Sequence, residues 1–164
     1  MITPQGFSRT QIVAHWATAL LIIPIWVFHD GIVNAMRALR QGQVPASSDA
    51  LITLFHVWGG VVVLVFACWR IDLRYTNGVP AAPPNESAFL RRVASATHMT
   101  LYGLLIYFPL TGILGYFGNI EIANQLHGLA KLPILFLVVL HGLAALYHHF
   151  ILKTDVLRRM IKPL

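Results

Sequence analysis

Eight histidines are the side chains of this 164-residue chain with the most chemistry to offer. Six of them, His15, His56, His98, His127, His141 and His148, fall within apolar stretches, and His29 and His149 lie near the ends of such stretches. An ionisable ring in apolar surroundings is costly to place and commonly marks a cofactor, a proton path or an ion site. Taken singly, each is as readily a hydrogen-bonded packing residue. Spacing sharpens the reading. His127 and His141 stand fourteen residues apart, which is four turns at the ~3.5-residue period of a left-handed bundle and puts both rings on one helix face. Their separation along the axis is about 21 Å. No carboxylate cluster accompanies them to cage Mg²⁺ or Ca²⁺. The single cysteine, Cys68, lies inside an apolar run, so there is no thiolate zinc site, CxxC pair or C-x-x-C-H attachment. Neutral imidazoles stacked at two depths suit two haem irons, bound without thioether links, each taking one axial nitrogen from this helix and one from elsewhere.

The elements that must position these rings are membrane helices. Hydrophobic residues make up 57% of the chain and charged residues 11%, with a mean hydropathy of +0.67. So few charges cannot clothe a small water-soluble domain, whose surface is large for its volume. A helix needs roughly 20 mostly apolar residues to cross the hydrocarbon. Four stretches qualify: Thr10–Phe28, Leu51–Trp69, Thr97–Gly118 and Asn124–Leu152. The expected fold is therefore all-α, a single four-helix membrane domain over residues 1–164. The first stretch carries His15 and Pro24 and no small-residue cleavage site, so it reads as a permanent span, not a removed signal peptide. Asp30–Ala50 is expected to hold a short amphipathic piece around Val33–Arg40 at the outer interface. Asp72–Ala96, with Asn77-Gly78 and Pro80, Pro83 and Pro84, reads as one loop of turn chemistry.

Basic residues orient the bundle. Twelve Lys and Arg against six Asp and Glu give a net charge of +6, but they sit between the apolar runs and act as topology signals, not as a nucleic-acid footprint. Nine of them, Arg9, Arg70, Arg74, Arg91, Arg92, Lys153, Arg158, Arg159 and Lys162, lie on one side, and Arg37, Arg40 and Lys131 on the other. Both termini are expected on the cytoplasmic face of a bacterial inner membrane. In that topology His15 and His141 share the cytoplasmic level, and His56 and His127 share the outer one. His29, fourteen residues after His15, would be a rival to His56 as the outer partner, but Asp30-Gly31 follows it at a helix end. Gly59, Gly60, Gly128 and Gly142 lie within a turn of these histidines, where a missing side chain lets a flat porphyrin approach the backbone. Close helix packing is an equal account of them.

The residues then add up to a resemblance. Ser8-Arg9-x-Gln11-x-x-x-His15-Trp16 opens the first helix, His56 precedes Gly59 in the second, and His98-x-x-x-Tyr102 leads to Pro109 and Gly112 in the third. His127, Gly142 beside His141, His148-His149 and Lys153-x-Asp155-x-Leu157-x-Arg159-Met160 close the chain. Over nearly its whole length the sequence resembles the bacterial cytochrome b561 family of four-helix di-haem membrane proteins, related to the cytochrome b subunits of formate dehydrogenase and nickel-iron hydrogenase. The resemblance implies axial ligation by His15, His56, His127 and His141, electron exchange with ubiquinone or menaquinone, and, for some members, superoxide oxidation at the outer face.

The expectation is thus transmembrane electron transfer through two haem b groups, with His98 and His148 as further cofactor-contacting candidates, bonding a propionate, a quinone carbonyl or a proton-carrying water. His149 suits an interfacial position. Superoxide as donor would want a cationic approach. The outer charges Arg37, Arg40 and Lys131 are matched by Asp30, Asp49 and Glu121, and the connection Asn119–Ala123 is short. The alternatives are a haem b anchor relaying electrons for a partner dehydrogenase and, from a different class, a histidine-lined proton channel or transporter, against which the scarcity of intramembrane carboxylates argues. Partners consistent with the redox reading are the bilayer, a membrane quinone, a redox partner protein and a second copy of the chain, with no nucleic acid.

Overall fold

The structure is a computed structural model in which residues 4–129 and 131–163 are described. The elements are helices: α1 Arg9–Val27, α2 His29–Arg40, α3 Ser47–Thr76, α4 Ala88–Tyr116, α5 Glu121–Gly128, α6 Lys131–Phe150 and the single turn α7 Val156–Arg159. Among the described residues, four stretches are long and apolar enough to cross a membrane: α1, α3, α4 and Glu121–Phe150, which takes in α5 and α6. Ala130, inside the expected fourth span, lies outside the described residues.

The spans run beyond their apolar stretches. α3 begins at Ser47 and continues to Thr76, and α4 begins at Ala88, so the loop expected over Asp72–Ala96 shrinks to residues 77–87. Hydropathy reports the hydrocarbon thickness, whereas a helix stops only where its backbone groups find other partners. At α4 that point is Ser87, whose side chain accepts from Leu90 N. At α1 it is a capping box in which Ser8 accepts from Gln11 N and the Gln11 side chain accepts from Ser8 N. The amphipathic piece is also longer than expected and starts at His29.

α3 is the central element, packed against α1, α2 and α4, with α5 against α4. Apolar side chains gain little by leaving lipid for protein, so small residues that allow close backbone approach make the contacts. Ala14 and Ala67 are fully buried, and the core proper is Val63, Ala67 and Leu105 with Leu21, Ile22, Ile25 and Ile106 around it. A Cβ on Gly59 would lie 3.0 Å from Ile25 Cδ1, so this glycine seats α3 against α1. Large side chains such as Leu20, Val65 and Phe136 face outward, as a bilayer solvent requires. α6 buries none of its described residues. The buried threonines Thr18, Thr53 and Thr111 satisfy their hydroxyls on carbonyls of their own helices.

Polar side chains tie one end of the bundle together, the end that carries residues 4–8 and the α3–α4 loop. Gln11 Nε2 donates to the carbonyls of Leu73 and Gly78 at 3.1 and 3.0 Å. Asn77 donates to Ser8 Oγ, and Gly78 sits at φ +73°, a left-handed turn position that suits glycine. Trp16 Nε1 donates to Met160 O, and Arg159, paired with Asp155, donates to Ala81 O at 2.7 Å.

Candidate functional site

Four histidines meet as two pairs. His56 on α3 faces His127 on α5, with their Nε2 atoms 3.4 Å apart and ring centroids 5.7 Å apart. His15 on α1 faces His141 on α6 at a centroid separation of 6.1 Å. Two metal–nitrogen bonds of about 2 Å each would set the coordinating nitrogens about 4 Å apart, so the His56–His127 pair needs to open by only roughly half an ångström.

Local structure prepares His127. Its Nδ1 lies 2.9 Å from the carbonyl oxygen of Phe108. A carbonyl only accepts, so Nδ1 carries the proton and the lone pair of the neutral ring is on Nε2, toward His56. Such an outer bond fixes the tautomer and orientation of a metal-ligating imidazole. Gly112 lets the ring lie against α4: a Cβ there would stand 3.0 Å from His127 Cε1. Two cavities, of about 140 and 120 Å³, each touch His56, His127, Gly60 and Pro109. Open space thus flanks the pair, and nothing lies within 4 Å of where a Cβ on Gly60 would project.

The second pair is dressed differently. Arg70 Nη2 lies 3.1 Å from His15 Nδ1. A guanidinium only donates, so Nδ1 accepts and the neutral His15 ring carries its proton on Nε2. Ligation through Nε2 would move that proton to Nδ1 and release Arg70. The guanidinium also sits 5.3 Å from the centroid of the Tyr102 ring, with Arg74 at 6.0 Å. His98 packs its ring against His141 at 5.2 Å between centroids.

The other candidates fall elsewhere. His148 Nδ1 is 3.1 Å from Thr154 Oγ1 and its Nε2 is 3.5 Å from Glu86 Oε1, so it links the end of α6 to the 77–87 loop. His29 opens α2 and does not face His127 as His56 does. Its Nδ1 is 3.8 Å from Asp30 Oδ1, beyond hydrogen-bond reach. Burial first, and the Lys131 cation next, hold the His29 imidazole below its usual range. Gly128 and Gly142 have nothing within 4 Å of a built Cβ. Arg70 and Gly112 are the positions that sequence reasoning did not connect to any particular histidine. The only trace of either contact there was Gly112 itself, standing in an apolar span.

Among the described residues, no group of three or more His, Cys, Asp or Glu side chains is arranged to hold a metal ion. Paired imidazoles with flanking apolar space are a donor set for an iron whose remaining four ligands come from a macrocycle; the His56–His127 pair fits that role in spacing, and His127 also in lone-pair direction.

The comparisons with known proteins agree with this chemistry. The family model of the prokaryotic cytochrome b561 matches residues 6–163. A cytochrome b562 of Cereibacter sphaeroides is 33% identical over 165 residues, 99% of each chain. A probable superoxide oxidase CybB of Yersinia pestis is 28% identical, covering 96% of both chains. Cytochrome b561 homolog 1 of Escherichia coli is 29% identical, over 94% of this chain and 96% of its own. A match across almost the whole chain, on a bundle of four membrane-spanning stretches with paired intramembrane histidines, establishes that this protein belongs to the prokaryotic cytochrome b561 family, haem b proteins of electron transfer in bacterial membranes.

Proposed function

We propose that the protein carries electrons across the membrane through two haem b groups, one held by His56 and His127 and the other by His15 and His141, and exchanges them with ubiquinone or menaquinone. The observation that carries this reading is the pairing itself: four histidines from α1, α3, α5 and α6 converge two by two, at 5.7 and 6.1 Å between ring centroids. Bound haem supplies a one-electron ferric–ferrous couple. The chain's own residues decide how it is used. With one imidazole from each residue of a pair holding the iron, no position would remain for a small substrate, and the haem would supply one-electron transfer only. Phe108 O holds the His127 proton on Nδ1 and keeps Nε2 directed inward. The apolar walls exclude water, and Arg70, giving up its contact with His15 Nδ1 on ligation, keeps a positive charge near that pair over the Tyr102 ring. In this reading the ends that carry the termini face the cytoplasm, as the excess of Lys and Arg there supports, and the α2 end faces outward.

Superoxide as the electron donor at the outer end is the second reading, supported by the relative named a probable superoxide oxidase and by exposed Arg37 and Arg40 on α2. The test is spectroscopic and kinetic. The purified protein is expected to show a reducible b-type spectrum with two haems per chain, and replacing His56 or His141 by Ala is expected to remove one. Stopped-flow reduction by quinol, superoxide or a partner dehydrogenase, each presented alone, then identifies the donor. Absence of haem, or full retention in the alanine variants, overturns the proposal.

A further inference from the structure

Only three buried side-chain polar atoms among the described residues lack a hydrogen-bond partner: Trp26 Nε1, His29 Nδ1 and His56 Nδ1. All three residues line the same cavity of about 120 Å³, and Lys131 lines it with them. An orphaned buried polar atom costs about 1–3 kcal/mol, and three around one cavity mark a place for a polar ligand group, which must offer an acceptor to the Trp26 N–H. The rest of the wall is mostly apolar, with Ile22, Val63 and Leu104 among it. The occupant therefore has an apolar body with anionic oxygens at one edge.

From this we infer that Trp26, His29 and Lys131 form the carboxylate-binding rim for the haem held by His56 and His127, receiving its propionates at the α2 end of the bundle. The inference rests on the haem reading above. Trp26 brings an indole N–H, which can only donate, His29 an imidazole nitrogen and Lys131 a cation. The ammonium is not committed elsewhere. Asp30 Oδ1 is 3.8 Å from Lys131 Nζ, but the Asp30 side chain is 90% exposed, and a solvated ion pair of that kind contributes little. The ammonium also lies 5.8 Å from the Trp26 ring centroid, so the indole and the cation form one corner of the cavity. His29, the residue that spacing makes a rival axial ligand, thereby takes a different place beside the same cofactor.

The experiment compares the full-length purified holoprotein with Trp26→Phe, Lys131→Met and Lys131→Arg. Removing a cation beside the propionates favours ferric iron. Lys131→Met is therefore expected to lower the potential of one haem and leave the other unmoved, a roughly tenfold change in its reduced-to-oxidised ratio at fixed ambient potential, or about 59 mV. Lys131→Arg restores it. Trp26→Phe is expected to shift the propionate bending band in the resonance Raman spectrum of the same haem. Potentials and propionate bands at their original values in both Trp26→Phe and Lys131→Met overturn the rim while leaving the haem reading intact. If Lys131→Met fails to hold one haem, recovery in Lys131→Arg supports the rim and continued loss overturns it. Wild-type protein without haem removes the haem reading and the rim together.

Discussion

Gly112 and His127 touch without an intervening side chain: the Cβ that an alanine would carry at 112 stands 3.0 Å from His127 Cε1 and 3.1 Å from Nδ1. The contact explains how an imidazole on α5 reaches a carbonyl of α4. With the ring laid against the backbone at Gly112, Nδ1 arrives at Phe108 O one turn earlier on α4. A second glycine on the same helix repeats the device. A Cβ on Gly115 would collide with the Asn124 side chain, which instead donates to Gly115 O. The seam between α4 and α5 is therefore set by two missing side chains, and the direction of the His127 lone pair follows from it.

If two haems are held as proposed, Gly112→Val is expected to displace His127 and cost one of them, while the one assigned to His15 and His141 remains. Gly112→Ala, whose neighbour must give by a few tenths of an ångström, is expected to retain both but broaden the spectrum of one. Haem content by pyridine haemochrome assay and low-temperature optical spectra check the pair of outcomes. Loss of both haems in Gly112→Val would show that the seam supports the whole bundle.

On the same proposal, Arg70 is expected to set the potential of the haem assigned to His15 and His141. Ligation of His15 through Nε2 would break the 3.1 Å contact at Nδ1, but a guanidinium held over Tyr102 keeps its positive charge near that pair, which disfavours the ferric state. Arg70→Met should lower the potential of the His15–His141 haem, with a fall of about 60 mV corresponding to a tenfold change in its reduced-to-oxidised ratio. A redox titration followed at both haem spectra checks this, and an unchanged pair of potentials would mean that the cation is neutralised in the loaded protein.

Counting residues from the end of each span gives each histidine an expected level, because a helix rises by a fixed amount per residue, although the fourth span is not the single helix of that count: His127 lies on α5 and His141 on α6. That count is why His15 with His141 and His56 with His127 can be matched without coordinates. What lies beside each ring was not legible. Arg70 reads as one basic residue among nine on its side, and nothing in its spacing says that it leans in to His15. Gly59 and Gly112 read alike as glycines in apolar spans, yet one receives Ile25 and the other His127. The reach of α3 to Thr76 was hidden for a different reason: apolarity ends near Trp69, but the helix stops only where Asn77 N closes on Leu73 O and Gln11 Nε2 donates to Leu73 O and Gly78 O.

Gln11 should therefore matter to stability more than an exposed first-turn residue. Its side chain accepts from Ser8 N and donates to two carbonyls sixty-odd residues away in sequence. Gln11→Ala is expected to destabilise the bundle by about 1–3 kcal/mol, since it removes two part-buried bonds between helices together with the bond to Ser8 N, although Leu73 O keeps its bond from Asn77 N. Ser8→Ala, which removes the cap and the exposed bond from Asn77, should cost about 1 kcal/mol. Unfolding of the purified protein in mixed micelles, followed by circular dichroism, compares the two, and Gln11→Ala is expected to be the more damaging.

The 77–87 loop offers a test of how that end of the bundle is closed. Arg159 donates to Ala81 O from a side chain braced by Asp155, and His148 faces Glu86, whose side chain is only 7% exposed. The two contacts grip opposite halves of the loop, so neither half can lift while its own anchor holds. Arg159→Ala should free the segment around Ala81 and speed cleavage there by a nonspecific protease, whereas Glu86→Gln, which keeps the size of the side chain and its capacity to hydrogen-bond His148, should change cleavage little. Because opening of a surface segment precedes its cleavage, the rate reports the local opening free energy rather than global stability. Equal cleavage rates in the native protein and Arg159→Ala would show that the Ala81 contact does not restrain the loop in solution.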